Sequence, residues 1–479
     1  MYIKDIYEVS AMNSYRLESD SIGTKEVPGN AYYGVQSLRA LENFNITGQR
    51  MHPEMIRSLA YLKKACAIAN MQADNLDTIT GEAIVKACNL IIEGRFHDQF
   101  IVDPIQGGAG TSMNMNANEV IANAAIELLG GKCGDYSIVH PNDDVNRGQS
   151  TNDVIPTAGK MTVIALLKEL EKSLTALFDS FSRKADEFDN ILKMGRTQME
   201  DAVPIRLGQE FNAYASATRR SLERIRKYES EMHMINMGGT AIGTGINANQ
   251  SYFDNIARIL SEVTGTEYTQ AEDLVDATQN IDCFCAISSS LKDCALTLSK
   301  IASDLRLMGS GPKTGFGEIT LPAKQNGSSI MPGKVNPVIP EVVNQVAFRI
   351  VGNDVTISFA AESGQLELNA FEPVAFYSLF QSIDILKNAV DTFVVNCIDG
   401  ITANEERCKQ LLEQSVGIVT ALNPYIGYTA SAKLAKEALA TGTPIREIVL
   451  REGILTEEQM EHIMDPYRLT KPGFEKLEQ

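Results

Sequence analysis

The 479-residue chain has no tryptophan, only five histidines and no run of 18 or more apolar residues. The missing run leaves nothing to span a bilayer as a helix. Basic clusters are missing too: Asp and Glu total 61 against 43 Lys and Arg, a formal net charge of −18. Neutralising phosphates takes clustered Lys and Arg, so nucleic acid is not expected as a partner. Anionic membrane surfaces are equally unsuited. The start, MYIKDIYEVSAMNSYRLESD, mixes charges into its apolar residues and has no apolar core, so it does not read as a signal peptide. The eight cysteines (66, 88, 133, 283, 285, 294, 397 and 408) form no CxxC pair and have no His beside them. They read as reduced core residues of a cytoplasmic protein, with no zinc site.

What is present is helical periodicity. The length suggests about three domains. Val163, Leu167, Leu170, Leu174, Leu177, Phe181 and Phe188 recur mostly at alternating spacings of four and three, the stripe of a bundle helix. Phe284, Ile287, Leu291, Cys294, Leu298, Ile301 and Leu305 repeat it. That second pattern predicts a helix from near Glu272 to Gly309, roughly 55 Å long, stopped by Gly309-Ser310-Gly311-Pro312. Stretches 209–235, 340–361 and 374–398 read the same way. Five such helices in succession predict a mainly all-α fold around a long-helix bundle. Small and apolar residues beside the main stripes predict that bundles from several subunits pack together. The expected division is a mixed, mostly helical region over 1–145, the bundle over 146–398 and a small helical region over 399–479. In the last, Thr456-Glu457-Glu458-Gln459 reads as a capping box.

Four polar, glycine-bearing segments interrupt these helices: 107–114 (GGAGTSMN), 148–153 (GQSTND), 195–204 (GRTQMEDAVP) and 327–337 (GSSIMPGKVNP). The first lacks the Gly-Lys-Ser/Thr ending of a nucleotide loop. The first two place hydroxyls ahead of a helix start, where anions bind, although an ordinary helix cap needs the same residues. The third reads as a polar connector between bundle helices. The fourth brackets two serines, a Lys and an Asn with Gly and Pro, which suits a loop closing over a ligand. Converging, they would make a small-anion pocket with Lys334 as its point charge. None of the histidines (52, 97, 140, 233 and 462) falls inside them, so a His-based triad is not expected. Hydroxyls, amides and one ammonium suit carboxylate binding and oxyanion stabilisation.

The sequence GSSIMPGKVNP resembles the signature loop of the fumarase/aspartase superfamily. The segments AYYGVQSLRALENF, DQFIVDPIQGGAGTSMNMNANEVIAN, QSTND, KMGRTQMEDAVP and GGTAIGTGINA resemble that family too, in its order, from about Arg16 onward. Within it the chain is more similar to the aspartate ammonia-lyases than to the fumarases. The pointers are QSTND, the continuation VNPVIPEVVNQV, and Gln198 where fumarases have His. The resemblance implies three mostly helical domains with a central five-helix bundle, and a homotetramer whose active sites draw on three subunits. The implied reaction is reversible anti elimination of ammonia from L-aspartate to give fumarate, that is, a carbon–nitrogen lyase. The alternatives are a fumarase, another fumarate-releasing lyase, or a non-catalytic helical assembly protein.

By the same resemblance Ser328 is the base, acting as an alkoxide. Thr111, Ser150, Thr151 and Ser329 match the positions that bind the β-carboxylate. Thr197, Lys334 and Asn336 match those that hold the α-carboxylate. Asn152 matches the holder of the α-amino group, with Gln198 helping. No cofactor and no catalytic metal are expected.

Overall fold

The structure, a computed structural model, describes residues 15–327 and 329–474. It is mainly helical. Among the described residues five helices run for 23 to 37 residues: Thr151–Glu187, Leu207–Glu229, Asp282–Met308, Val338–Glu362 and Glu372–Asn396. The strands form short two-stranded pairings. No helix among the described residues is long and apolar enough to cross a membrane. Packing divides the described residues into two units, those within 1–170, 224–292 and 349–384, and those within 171–223, 293–348 and 385–479. The boundaries fall inside the five long helices.

The spacings read from the sequence become the buried faces. All seven residues of the Phe284–Leu305 stripe are buried, as are Val163, Leu167, Leu170, Leu174, Leu177, Phe181 and Phe188. In the first unit Phe284 packs on Phe376, with ring centroids 4.8 Å apart. Gly159 lets that ring approach its helix, because a Cβ there would lie 2.6 Å from Phe376 Cζ. In the second unit Phe181 meets Phe393 edge-on and packs beside Phe211 and Tyr214. Aromatic pairs in these geometries add about 0.5–1.5 kcal/mol beyond their burial. The end of the chain has its own core around Leu422, Ile448 and Met460. Its capping box is formed: Gln459 N–H donates to Thr456 Oγ1 and Thr456 N–H to Gln459 Oε1.

Two expectations are corrected. The helix expected from Glu272 begins at Asp282, and Leu274–Gln279 is a separate helix capped by Asp273. Asn280 between them is extended, so the rod begins ten residues later than expected. The segment expected as a polar connector is a β-hairpin, Leu192–Thr197 paired antiparallel with Glu200–Arg206. Gly195 and Pro204 read as loop punctuation, yet both lie in strands; Gly195 is needed because a Cβ would lie 2.7 Å from Val203 O.

Candidate active site

In the first unit two polar segments meet at the starts of two helices. Thr111 opens the Thr111–Leu128 helix behind Gly108, Ala109 and Gly110, all at positive φ. Gly110 is required twice, since its φ is +83° and a Cβ would sit 2.9 Å from Ile155 Cγ2. Thr111 Oγ1 donates to Gly108 O at 2.7 Å. Thr151 opens the Thr151–Glu187 helix. Asn114 Nδ2 joins the two starts, donating to Asn146 Oδ1 at 3.1 Å and reaching Thr151 Oγ1 at 3.5 Å. Beneath them the fully buried Lys63 ammonium donates to Asn146 Oδ1 and Gln149 Oε1, each at 2.8 Å. Burial pulls its pKa down to about 8.

The residues after Ser150 are held equally firmly. Ser150 N–H donates to the buried Asp153 Oδ1 at 2.9 Å. Gly238 N–H and Thr240 N–H donate to Asp153 Oδ2 at 3.2 and 3.1 Å. Burial pushes this carboxyl up to about 7, while those N–H groups and Lys63 pull it down. Asn152 Nδ2 donates to Ala241 O at 2.7 Å. Pro156 sits in the same helix and has no N–H to offer the Asn152 carbonyl four residues back. Asn236 Nδ2 fills that vacancy at 3.0 Å.

The other two segments belong to the second unit. Thr197 ends the first strand of the hairpin, and Gln198 and Met199 form its two-residue turn. Both turn residues have positive φ, 57° and 68°, the pattern of a primed hairpin turn. Thr197 and Gln198 are exposed. Behind them Arg196 Nη1 pairs with Glu318 Oε1 at 2.8 Å and its guanidinium lies 4.1 Å above the Phe316 ring centroid. Lys193 bridges Glu318 Oε2 at 3.0 Å and Glu210 Oε2 at 2.9 Å.

On the fourth segment Ser329 and Lys334 are exposed and Asn336 is half-buried. Asn336 Nδ2 donates to Gly327 O at 3.0 Å, closing the base of the loop. Lys334 and Asn336 line a cleft of about 820 Å³ together with Arg306, Ser310 and Asn404. Ser328, the expected base, lies outside the described residues.

The structure therefore joins Thr111 to Ser150, Thr151 and Asn152 in the first unit. Thr197 and Gln198 stand on a different element from Ser329, Lys334 and Asn336 in the second, and Glu318 supports the hairpin from the chain leading toward that loop. Sequence reasoning missed Lys63, Asn114, Asp153, Glu318 and the 236–248 loop as parts of this framework. Asp153 stood inside a quoted motif and Asn114 at the end of one, whereas Lys63 carried no signal. Among the described residues no group of three or more His, Cys, Asp or Glu is arranged to hold a metal ion.

The family described as Lyase matches residues 23–352, and the one described as Fumarase C C-terminus matches residues 418–471. An aspartate ammonia-lyase of Bacillus sp is 56% identical over 458 residues, covering 96% of this chain and 98% of that protein. Among solved structures, fumarate lyase:delta crystallin from Brucella melitensis bound to cobalt superposes with a TM-score of 0.93 at 47% identity, over 96% of this chain and 100% of that one. The class II fumarase from Schistosoma mansoni superposes with a TM-score of 0.90 at 34% identity, over 96% of this chain and 100% of that one.

Proposed function

The chain belongs to the fumarase/aspartase superfamily of lyases, and on that premise we propose that it catalyses the reversible deamination of L-aspartate to fumarate and ammonia. The observation that carries this reading is the meeting of two helix starts at Thr111 and Thr151, tied by Asn114 and backed by buried Lys63. Helix N-termini and hydroxyls together stabilise anions.

The chemistry needs such a place. The Cβ proton of aspartate is weakly acidic, and removing it drives charge onto the β-carboxylate as an aci-carboxylate dianion. Thr111, Ser150, Thr151 and Ser329 bind that group, where the charge grows. Thr197, Lys334 and Asn336 hold the α-carboxylate. Asn152, with Gln198 helping, holds the amine. Ser328 takes the proton as an alkoxide, a role that requires its anion to be stabilised. Gln198 cannot donate a proton, which suits ammonia leaving from an ammonium and not hydroxide leaving from an alcohol. None of these steps calls for a cofactor or a metal.

The working unit is a homotetramer in the cytoplasm, with sites shared between subunits and with no nucleic-acid or membrane partner. Support for assembly comes from Val342, Phe348, Val355 and Phe359, large apolar side chains left exposed along the Val338–Glu362 helix.

Substitution tests the assignment. Ser328→Ala is expected to abolish fumarate release from aspartate. Thr151→Val, which removes one donor to the growing charge, is expected to lower kcat by about 10²–10³. Unchanged kcat in Ser328→Ala refutes the assignment of the base.

A further inference from the structure

The glycine-rich segment GGTAIGTGINA has no part in the reaction as assigned so far, yet three of its residues, Gly238, Thr240 and Ala241, touch the amine-holding helix start. We propose that the 236–248 loop is the specificity element of the site: the Ala241 carbonyl sets Asn152 so that its amide oxygen faces the substrate's α-ammonium. This rests on the ammonia-lyase reading above.

The argument begins with what a carbonyl can do. Ala241 O only accepts, so the Asn152 atom 2.7 Å from it is the amide nitrogen. Asn152 Oδ1 is then the atom not engaged by the loop, and it presents an acceptor. An ammonium next to a carboxylate offers N–H donors and a positive charge, and meets that acceptor in a charge-assisted hydrogen bond. A diacid without the amine gains nothing from it. With the amide turned the other way, the NH₂ would face the ammonium, donor against donor.

The loop can fix the amide only if it is itself fixed. Asp153, next to Asn152, binds the Gly238 and Thr240 N–H groups, which leaves Ala241 one residue beyond the clamp. Asn236, at the start of the loop, binds the Asn152 backbone carbonyl that Pro156 leaves open. It also donates to Thr278 Oγ1 and accepts from Thr157 Oγ1. Gly243 is pressed so closely onto the Leu274 carbonyl that no Cβ fits. Thr240 holds a φ of 54°, which a non-glycine residue keeps only where its surroundings demand it. Asp153 and Asn236 are thus positioning residues for the Asn152 amide.

The test compares two ligands that share both carboxylates and differ in the amine. The KM for L-aspartate and the Ki of succinate are measured for the wild type, Asp153→Asn and Asn236→Ala. Both variants are expected to raise the aspartate KM about tenfold or more, the loss of a hydrogen bond to a charged group, while the succinate Ki moves less than about threefold. Equal shifts for the two ligands, no shift in either, or failure of both variants to fold would overturn the proposal and leave the contacts as scaffold only. Wild-type protein that releases no fumarate from aspartate refutes the ammonia-lyase reading instead, a result separate from any variant.

Discussion

Arg196 and Glu318 are joined across 122 residues of chain by an ion pair of 2.8 Å, and Glu318 is fully buried. The pair fixes the strand that carries Thr197 to the segment that leads toward Gly327. Lys193, itself 2% exposed, leans on the same carboxylate. Removing one member of a buried pair strands the others, at a cost of about 3–5 kcal/mol. Glu318→Ala is therefore expected to lower unfolding stability by about that much and to raise the KM for substrate through the displaced Thr197. Urea unfolding reads the first effect, and a loss under about 1 kcal/mol contradicts it.

Gly327 supports a sharper separation of activity from stability. A Cβ there would overlap the Lys334 carbonyl oxygen, and the Asn336 amide closes the loop onto Gly327 O. Gly327→Ala is expected to hold the loop base open and reduce kcat/KM by about tenfold or more. The loop is exposed, so the unfolding midpoint should stay close to that of the wild type. Equal activity in the two proteins would show that closure of this base is not needed.

The helices were legible because the burial of one face leaves alternating spacings of three and four, and both long stripes are buried throughout. Residues 272–281 lie ahead of the Phe284–Leu305 stripe, and the helix break at Asn280 leaves no mark in that periodicity. The hairpin was hidden because Gly195 and Pro204 are strand residues here for local reasons of backbone approach and bulging. The polar segments were legible as helix starts. Their supports were not: Lys63 lies in a helix of mixed polarity with no motif around it, and Asp153 bonds to Gly238 and Thr240, a loop some 85 residues away.

Glu372 gives a pH prediction. Both of its carboxylate oxygens are buried without a hydrogen-bond partner, and burial raises its pKa well above 4.5, with Lys160 pulling the other way. The folded chain keeps this proton over a range where the unfolded chain has released it. Stability from this group is therefore greatest at low pH and falls as pH rises above 4.5, until the folded pKa is passed. Within that window each pH unit removes about 1.4 kcal/mol. Asp153 and Glu119, both pushed up to about 7 by burial, act in the same direction. Glu372→Gln is expected to flatten the fall of the unfolding midpoint between about pH 5 and pH 7. A slope equal to that of the wild type would show that Glu372 is ionised in the fold.

The central claim is that the site eliminates ammonia from aspartate. The direct measurement follows fumarate formation by its ultraviolet absorbance, with purified protein given L-aspartate in one cuvette and L-malate in another. The account predicts fumarate from aspartate and none from malate. Fumarate from malate and none from aspartate would contradict it.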